Sequence, residues 1–165
     1  MRTFRLLATL IALALLAVAC GSAEGGGETA VAEGGPVASD IPLVDQAAIA
    51  ELEGKPVVIN FFASWCPSCV AELPDFQAVH EQVGDEVTFL GVAQRDRAAD
   101  ALALIERTGV TYDIGNDPNG ELFASFNALA MPTTVFVGAD GEVIRTFSGV
   151  LSSESLTDII NNELL

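Results

Sequence analysis

The sequence predicts an α/β fold in one domain, a central mixed β-sheet flanked by helices on both faces. Three observations carry this. Two apolar, β-branched runs, "PVVINFFA" at residues 56–63 and "VTFLGVA" at 87–93, have the continuous hydrophobicity of strands covered on both faces. Segments with apolar residues at helical spacing follow each of them, the alternation that builds parallel strands. Then "TTVFVG" and "EVIRTFSG", linked by the tight turn "ADGE", read as a hairpin, which makes the sheet mixed. With 165 residues, half of them hydrophobic, the chain has material for a single buried core.

Residues 1–19 stand apart from that domain. Arg2 and Arg5 precede an apolar run from Leu6 to Ala19. The run is about 14 residues, short of the roughly 20 that span a bilayer, and so reads as an export signal. "LLAVAC" resembles the lipobox of bacterial lipoproteins, with Ala17 where that motif usually has Leu; the resemblance implies a lipid on Cys20 after cleavage. An ordinary signal peptide cut nearby is the alternative. Residues 20–40 then form a flexible acidic linker: between Gly21 and Asp40 stand six glycines and no Lys or Arg. Such a stretch reaches roughly 25 Å, enough to hold a domain off a membrane surface.

The domain is expected from residue 41 to 165. "DQAAIAELEG" reads as a short helix opened by Asp45 and closed by Gly54. From Cys66 to about Val83, the residues Val70, Leu73, Phe76, Val79 and Val83 recur at helical spacing. "DRAADALALIERTG" is a helix with Asp96 near its start and Gly109 after its end. An extended piece around Tyr112 to Ile114, a turn at "NDPNG" and a short helix "ELFASFN" precede the hairpin. The last helix runs from about Ser153 to Leu164, capped by Ser152 or Ser153, with Glu154 in its first turn.

Charge narrows the partners. The chain has 23 acidic and 7 basic side chains, a formal charge of -16. Removing residues 1–19 takes Arg2 and Arg5 with it, and 5 basic less 23 acidic leaves -18. Such a field repels nucleic acid and anionic lipid, so any membrane attachment rests on lipid at Cys20.

Cys66 and Cys69 lie where strand passes to helix. Cys66 takes the N-cap, Pro67 the first helical position and Cys69 the third. First-turn N–H groups and the positive end of the helix dipole face the Cys66 sulfur and favour its thiolate. Spacing of three on a helix also brings the two Cα atoms within disulfide reach. By position, Cys66 at the exposed helix end attacks and Cys69, more buried, resolves. A structural disulfide is the alternative, although a loop this short constrains an unfolded chain little. A zinc site lacks ligands, since only His80 is at hand, and haem attachment would need His where Val70 stands. No metal or cofactor is expected.

"VVINFFASWCPSCVAELPDF" together with "AMPTTVFVGADGEVIRTFSG" is similar to the thioredoxin superfamily, and within it to the extracytoplasmic TlpA/ResA/DsbE branch. The likeness runs over about residues 42 to 165. It implies a thioredoxin fold and a thiol–disulfide oxidoreductase that exchanges its Cys66–Cys69 disulfide with cysteines of exported proteins, as a reductant in cytochrome c maturation or copper-site assembly. It further implies a cis bond at Met131–Pro132 facing the disulfide, with Met131, Pro132 and Thr133 on the substrate-binding surface; Trp65 is expected beside the pair flanking that surface, with pure packing as the alternative. Glu72 matches a glutamate of this branch that tunes the thiols or moves protons; a first-turn acid favoured by the helix dipole is the plainer alternative. Asn60 is expected as a hydrogen-bonded core residue, Pro74 as a helix kink and His80 as a solvated helix residue. The hairpin that commonly opens this branch is reduced here to "IPLV". Implied partners are exported proteins with cysteine pairs, such as apocytochrome c or copper-delivery proteins, and a membrane electron donor or acceptor. The expected protein is a monomer, lipid-anchored on the extracytoplasmic side of a bacterial membrane. The alternatives are an oxidant of exported proteins, as some DsbE-like members are, and a non-catalytic Cu(I) carrier or binding module.

Overall fold

A computed structural model describes residues 42–52 and 54–165. The expected leader, Cys20 and the acidic linker lie outside these residues.

The central strand is β1 (Val57–Phe62), and every one of its six residues is buried. Period-2 alternation divides its side chains between two cores. Val58 and Phe62 join one cluster, with Leu73 and Phe76 of α2 (Pro67–Val83), Leu104 of α3 (Ala98–Thr108) and Leu156 of α5 (Ser153–Ile159). Val57, Ile59 and Phe61 join the other, beside Ile49 of α1 (Gln46–Ala50) and Leu122 and Phe123 of α4 (Glu121–Ser125). Phe61 meets Phe123 edge to face at 5.2 Å. Both faces of the sheet are thus covered by helices.

The strand order is β3-β2-β1-β4-β5. β1 runs parallel to β2 (Thr88–Gln94), which runs parallel to β3 (Asp113–Asp117). β4 (Thr133–Val137) is antiparallel to both β1 and β5 (Val143–Ser148). Because β1 and β4 run oppositely, with Phe61 paired to Thr133, the end of β1 that leads to Cys66 lies beside the start of β4, just after Pro132. One end of the sheet therefore gathers chain segments far apart in sequence.

Most elements fall where their residues place them, and the departures have causes. Helix α1 opens at Asp45, whose carboxylate accepts from Ala48 N at 2.9 Å, but it ends at Ala50, before Gly54. The "NDPNG" segment is not wholly a turn: Asn116 and Asp117 are the buried end of β3. Asn116 is held extended by Val44 and Pro42 through backbone hydrogen bonds, and this "IPLV" contact is a single bridge in place of a hairpin. Asp117 accepts from Glu121 N and Phe123 N, both at 2.9 Å, and so caps α4 from a distance. Gly115 is required there, since a Cβ would lie 1.9 Å from Val44 Cγ2. The C-terminal helix is α-helical to Ile159 and closes in a π-helical turn at Ile160–Leu164.

His80 corrects an expectation. Its ring is half-buried and packs edge-on against Phe89 at 5.3 Å and Tyr112 at 5.5 Å, so it is part of the aromatic packing under α2 and not a solvated residue. Pro74 lies on the exposed side of α2, which is helical on both sides of it. Among the described residues no helix is long and apolar enough to cross a membrane.

Candidate active site

Cys66 and Cys69 form a disulfide with Cα atoms 5.3 Å apart. Cys66 is the N-cap of α2, in extended conformation, and its sulfur accepts from Cys69 N at 3.3 Å. Pro67 supplies the first helical position, where a missing N–H costs nothing. The first-turn amide therefore points at the sulfur that would carry negative charge on reduction. Exposure differs from expectation in degree: Cys66 is only 5% exposed, against 0% for Cys69. Cys66 is the more exposed of the two, and its N donates to Ala63 O at 3.1 Å, which turns the loop before it back on itself.

The Met131–Pro132 bond is cis. Met131 is half-buried and packs against the cluster containing Cys66 and Cys69, whereas Pro132 is buried. Pro132 O accepts from Gly149 N at 2.9 Å, which fixes the loop against the end of β5. Thr133 does not offer its side chain outward. It is fully buried, with its hydroxyl donating to Ala130 O at 2.6 Å and lying 2.8 Å from Ser148 Oγ. Its hydroxyl holds the cis loop, and a direct substrate contact through that side chain is corrected. Trp65, by contrast, is 57% exposed next to Cys66. Leu129, at 92%, and Val150, at 54%, stand exposed in the segments on either side of the cis loop and its Gly149 brace.

Behind the disulfide, Glu72 is fully buried, one turn beyond Cys69. It lies in the second turn of α2, so the first-turn dipole does not account for it. Oε1 accepts from Asn60 Nδ2 at 2.9 Å and Oε2 from Leu151 N at 3.2 Å. Asn60 is thus the expected core residue, with the glutamate as its partner. Burial lifts the Glu72 carboxyl from an ordinary 4.5 to about 7; the Asn60 and Leu151 hydrogen bonds pull it down, and the charge of Asp75 adds to the rise. Burial also raises the Tyr112 phenol, with Glu72 adding to it. A carboxyl that titrates near neutrality beside a buried thiol can take or give a proton during exchange.

Asp96 is a residue of this site that sequence reasoning placed only at a helix start. Its carboxylate accepts from Ser64 N at 2.5 Å and from Ser64 Oγ at 2.9 Å, two residues before Cys66. Helix α3 is left with no side-chain cap at Arg97. A cavity of about 490 Å³ between Leu43–Ala47 and Asn116–Ser125 has none of the disulfide or cis-loop residues in its lining.

With this geometry, the AhpC/TSA family model matches residues 39–146. The chain belongs to the AhpC/TSA family. Its fold is the thioredoxin-like fold of that family's superfamily. Thiol-disulfide oxidoreductase ResA of Oceanobacillus iheyensis is 32% identical over 124 residues, which cover 72% of this chain and 64% of that protein. Among solved structures, MTB DsbF matches with a TM-score of 0.63 at 32% identity, covering 67% of this chain and 82% of that one. A secreted Mycobacterium tuberculosis disulfide oxidoreductase homologous to E. coli DsbE matches with a TM-score of 0.62 at 30% identity, covering 68% of this chain and 84% of the other.

The raised Glu72 value has a sign. Between about 4.5 and about 7 the unfolded chain has lost this proton while the folded one keeps it, so the glutamate's contribution to stability falls as pH rises through that window. Relative to Glu72→Gln, the oxidised protein is expected to lose about 3 kcal/mol between pH 4 and 8. Urea unfolding of both proteins across that range measures it, and parallel pH profiles would remove the buried-acid assignment.

Proposed function

We propose that this chain is an exported thiol–disulfide oxidoreductase that exchanges its Cys66–Cys69 disulfide with cysteine pairs of other exported proteins. The observation that carries it is the cysteine pair at the start of α2, with Cys69 N donating to the Cys66 sulfur beside a cis-proline loop. On reduction, the Cys66 thiolate attacks a partner disulfide, one partner sulfur leaves as a thiolate, and a mixed disulfide forms. Cys69 then attacks Cys66, the second partner sulfur leaves, and the Cys66–Cys69 bond is restored. Two electrons pass to the partner. Glu72 takes the Cys69 proton in the second step, and the residues 129–132, Trp65 and Val150 line the docking surface.

The direction assigned is reduction of the partner. A Glu72 carboxylate one turn from Cys69 opposes ionisation of that thiol, while the helix end favours the thiolate of Cys66. The resemblance to the TlpA/ResA/DsbE branch, whose TlpA/ResA-like members reduce partner disulfides, supports this direction, and apocytochrome c or copper-delivery proteins fit as substrates. Export rests on the leader at 1–19, supported by the secreted relative of M. tuberculosis, and attachment to the membrane rests on lipid at Cys20.

Cys66→Ser is expected to abolish exchange with a protein disulfide, whereas Cys69→Ser holds the partner as a mixed disulfide visible on a non-reducing gel. Undiminished exchange in Cys66→Ser would end the proposal. Equilibration with glutathione or thioredoxin is expected to place the reduction potential near about -230 to -270 mV. A value above about -180 mV would make the protein an oxidant.

A further inference from the structure

Trp65 is held in place from several sides although more than half of it faces solvent. Its indole Nε1 donates to Arg95 O at 3.3 Å. The preceding residue, Ser64, is gripped by both carboxylate oxygens of Asp96, and the following one, Cys66, is tied back to Ala63 O at 3.1 Å. Asp96 also accepts from Arg97 N at 2.9 Å, so one carboxylate joins the loop after β2 to the loop before α2.

The loop after β2 is itself anchored for this task. Arg95 has φ 47, a left-handed conformation that disfavours any residue with a side chain other than Asn or Asp. It is kept there by Arg95 N donating to Asp117 O at 3.0 Å and Arg95 Nε donating to Asn119 O at 3.1 Å. With both of those donors committed to the β3–α4 turn, its carbonyl serves the indole. A core role would bury the ring. Instead an uncommon backbone conformation and a carboxylate withdrawn from helix capping are spent on fixing an exposed aromatic beside the attacking sulfur. Aromatic groups held rigid before binding lose little freedom when a partner docks.

We propose that Asp96 is a positioning residue for substrate: through Ser64, and with the Arg95 carbonyl, it fixes Trp65 as a rigid part of the surface against which an extended substrate polypeptide lies beside Cys66. This rests on the oxidoreductase reading above. The partner chemistry it fits is an apolar or aromatic side chain close to the substrate cysteine, stacked on the indole face. Asp96 touches neither sulfur, so its effect falls on docking and not on the exchange chemistry.

The chain has one tryptophan, so fluorescence reports on Trp65 alone. Time-resolved anisotropy of Asp96→Ala is expected to gain a sub-nanosecond component absent from the unaltered protein. KM for a disulfide-bearing peptide is expected to rise about tenfold, the scale of a lost charged hydrogen bond, with kcat changed by less than about twofold. Asp96→Asn, which keeps the side chain's volume and one acceptor, is expected to lie between the two and serves if the alanine variant does not fold. An indole as rigid as in the unaltered protein, or an unchanged KM with only a lower melting temperature, would overturn the proposal. Absence of exchange in the unaltered protein would instead remove the parent reading, which the anisotropy does not test.

Discussion

The amide of Cys69 donates to the sulfur of Cys66 across 3.3 Å, and the rest of the site depends on the alignment that allows it. That alignment begins in β1, whose six buried residues are clamped between β2 and β4 and leave the chain no freedom in where it exits the sheet. Pro67 then starts the helix immediately, so that the unpaired amides of the first turn meet a sulfur and not water. The antiparallel pairing of β1 with β4 delivers cis-Pro132 to the same end of the sheet. A slip of one residue in either register would exchange Val58 and Phe62 with Ile59 and Phe61 between the two cores and turn Asn60 away from Glu72.

Two electrostatic terms oppose each other at the pair. The helix end favours negative charge on Cys66, the sulfur to which the proposed exchange assigns the attack. Glu72, enclosed behind Cys69, disfavours charge on the resolving sulfur and can itself hold a proton near neutral pH. The helix end and the buried glutamate thus lie on opposite sides of a pair whose Cα atoms are 5.3 Å apart. Glu72 is also tied to Leu151 N, in the same short segment as Gly149, which braces Pro132. The buried carboxyl and the cis-proline loop therefore share a support.

Local pattern made much of this legible. The buried strands, the cap at Cys66, the helix spanning Leu73 to Val79 and the left-handed stop at Gly109 all follow from period and termination chemistry within a few residues. What sequence left obscure depends on contacts across long separations. Asn116 and Asp117 belong to a strand because Pro42, Val44 and the amides of α4 claim their polar groups, which no turn propensity foretells. Asp96 looks like a helix-opening acid until Ser64, 32 residues earlier, takes its carboxylate. Thr133 follows the cis-proline as the resemblance implies, yet pairing with Ser148 turns its hydroxyl inward. His80 carries no apolar signal of its own; Phe89 and Tyr112, on other elements, bury it.

If the helix end makes Cys66 the attacking thiolate, alkylation of the reduced protein across pH, resolved by mass spectrometry into the two sites, reads it directly. Cys66 is expected to be modified first, with a midpoint below about 7.5, while Cys69 stays protected. Equal modification of both cysteines with a midpoint near about 8.5, the value of a free thiol, would contradict it.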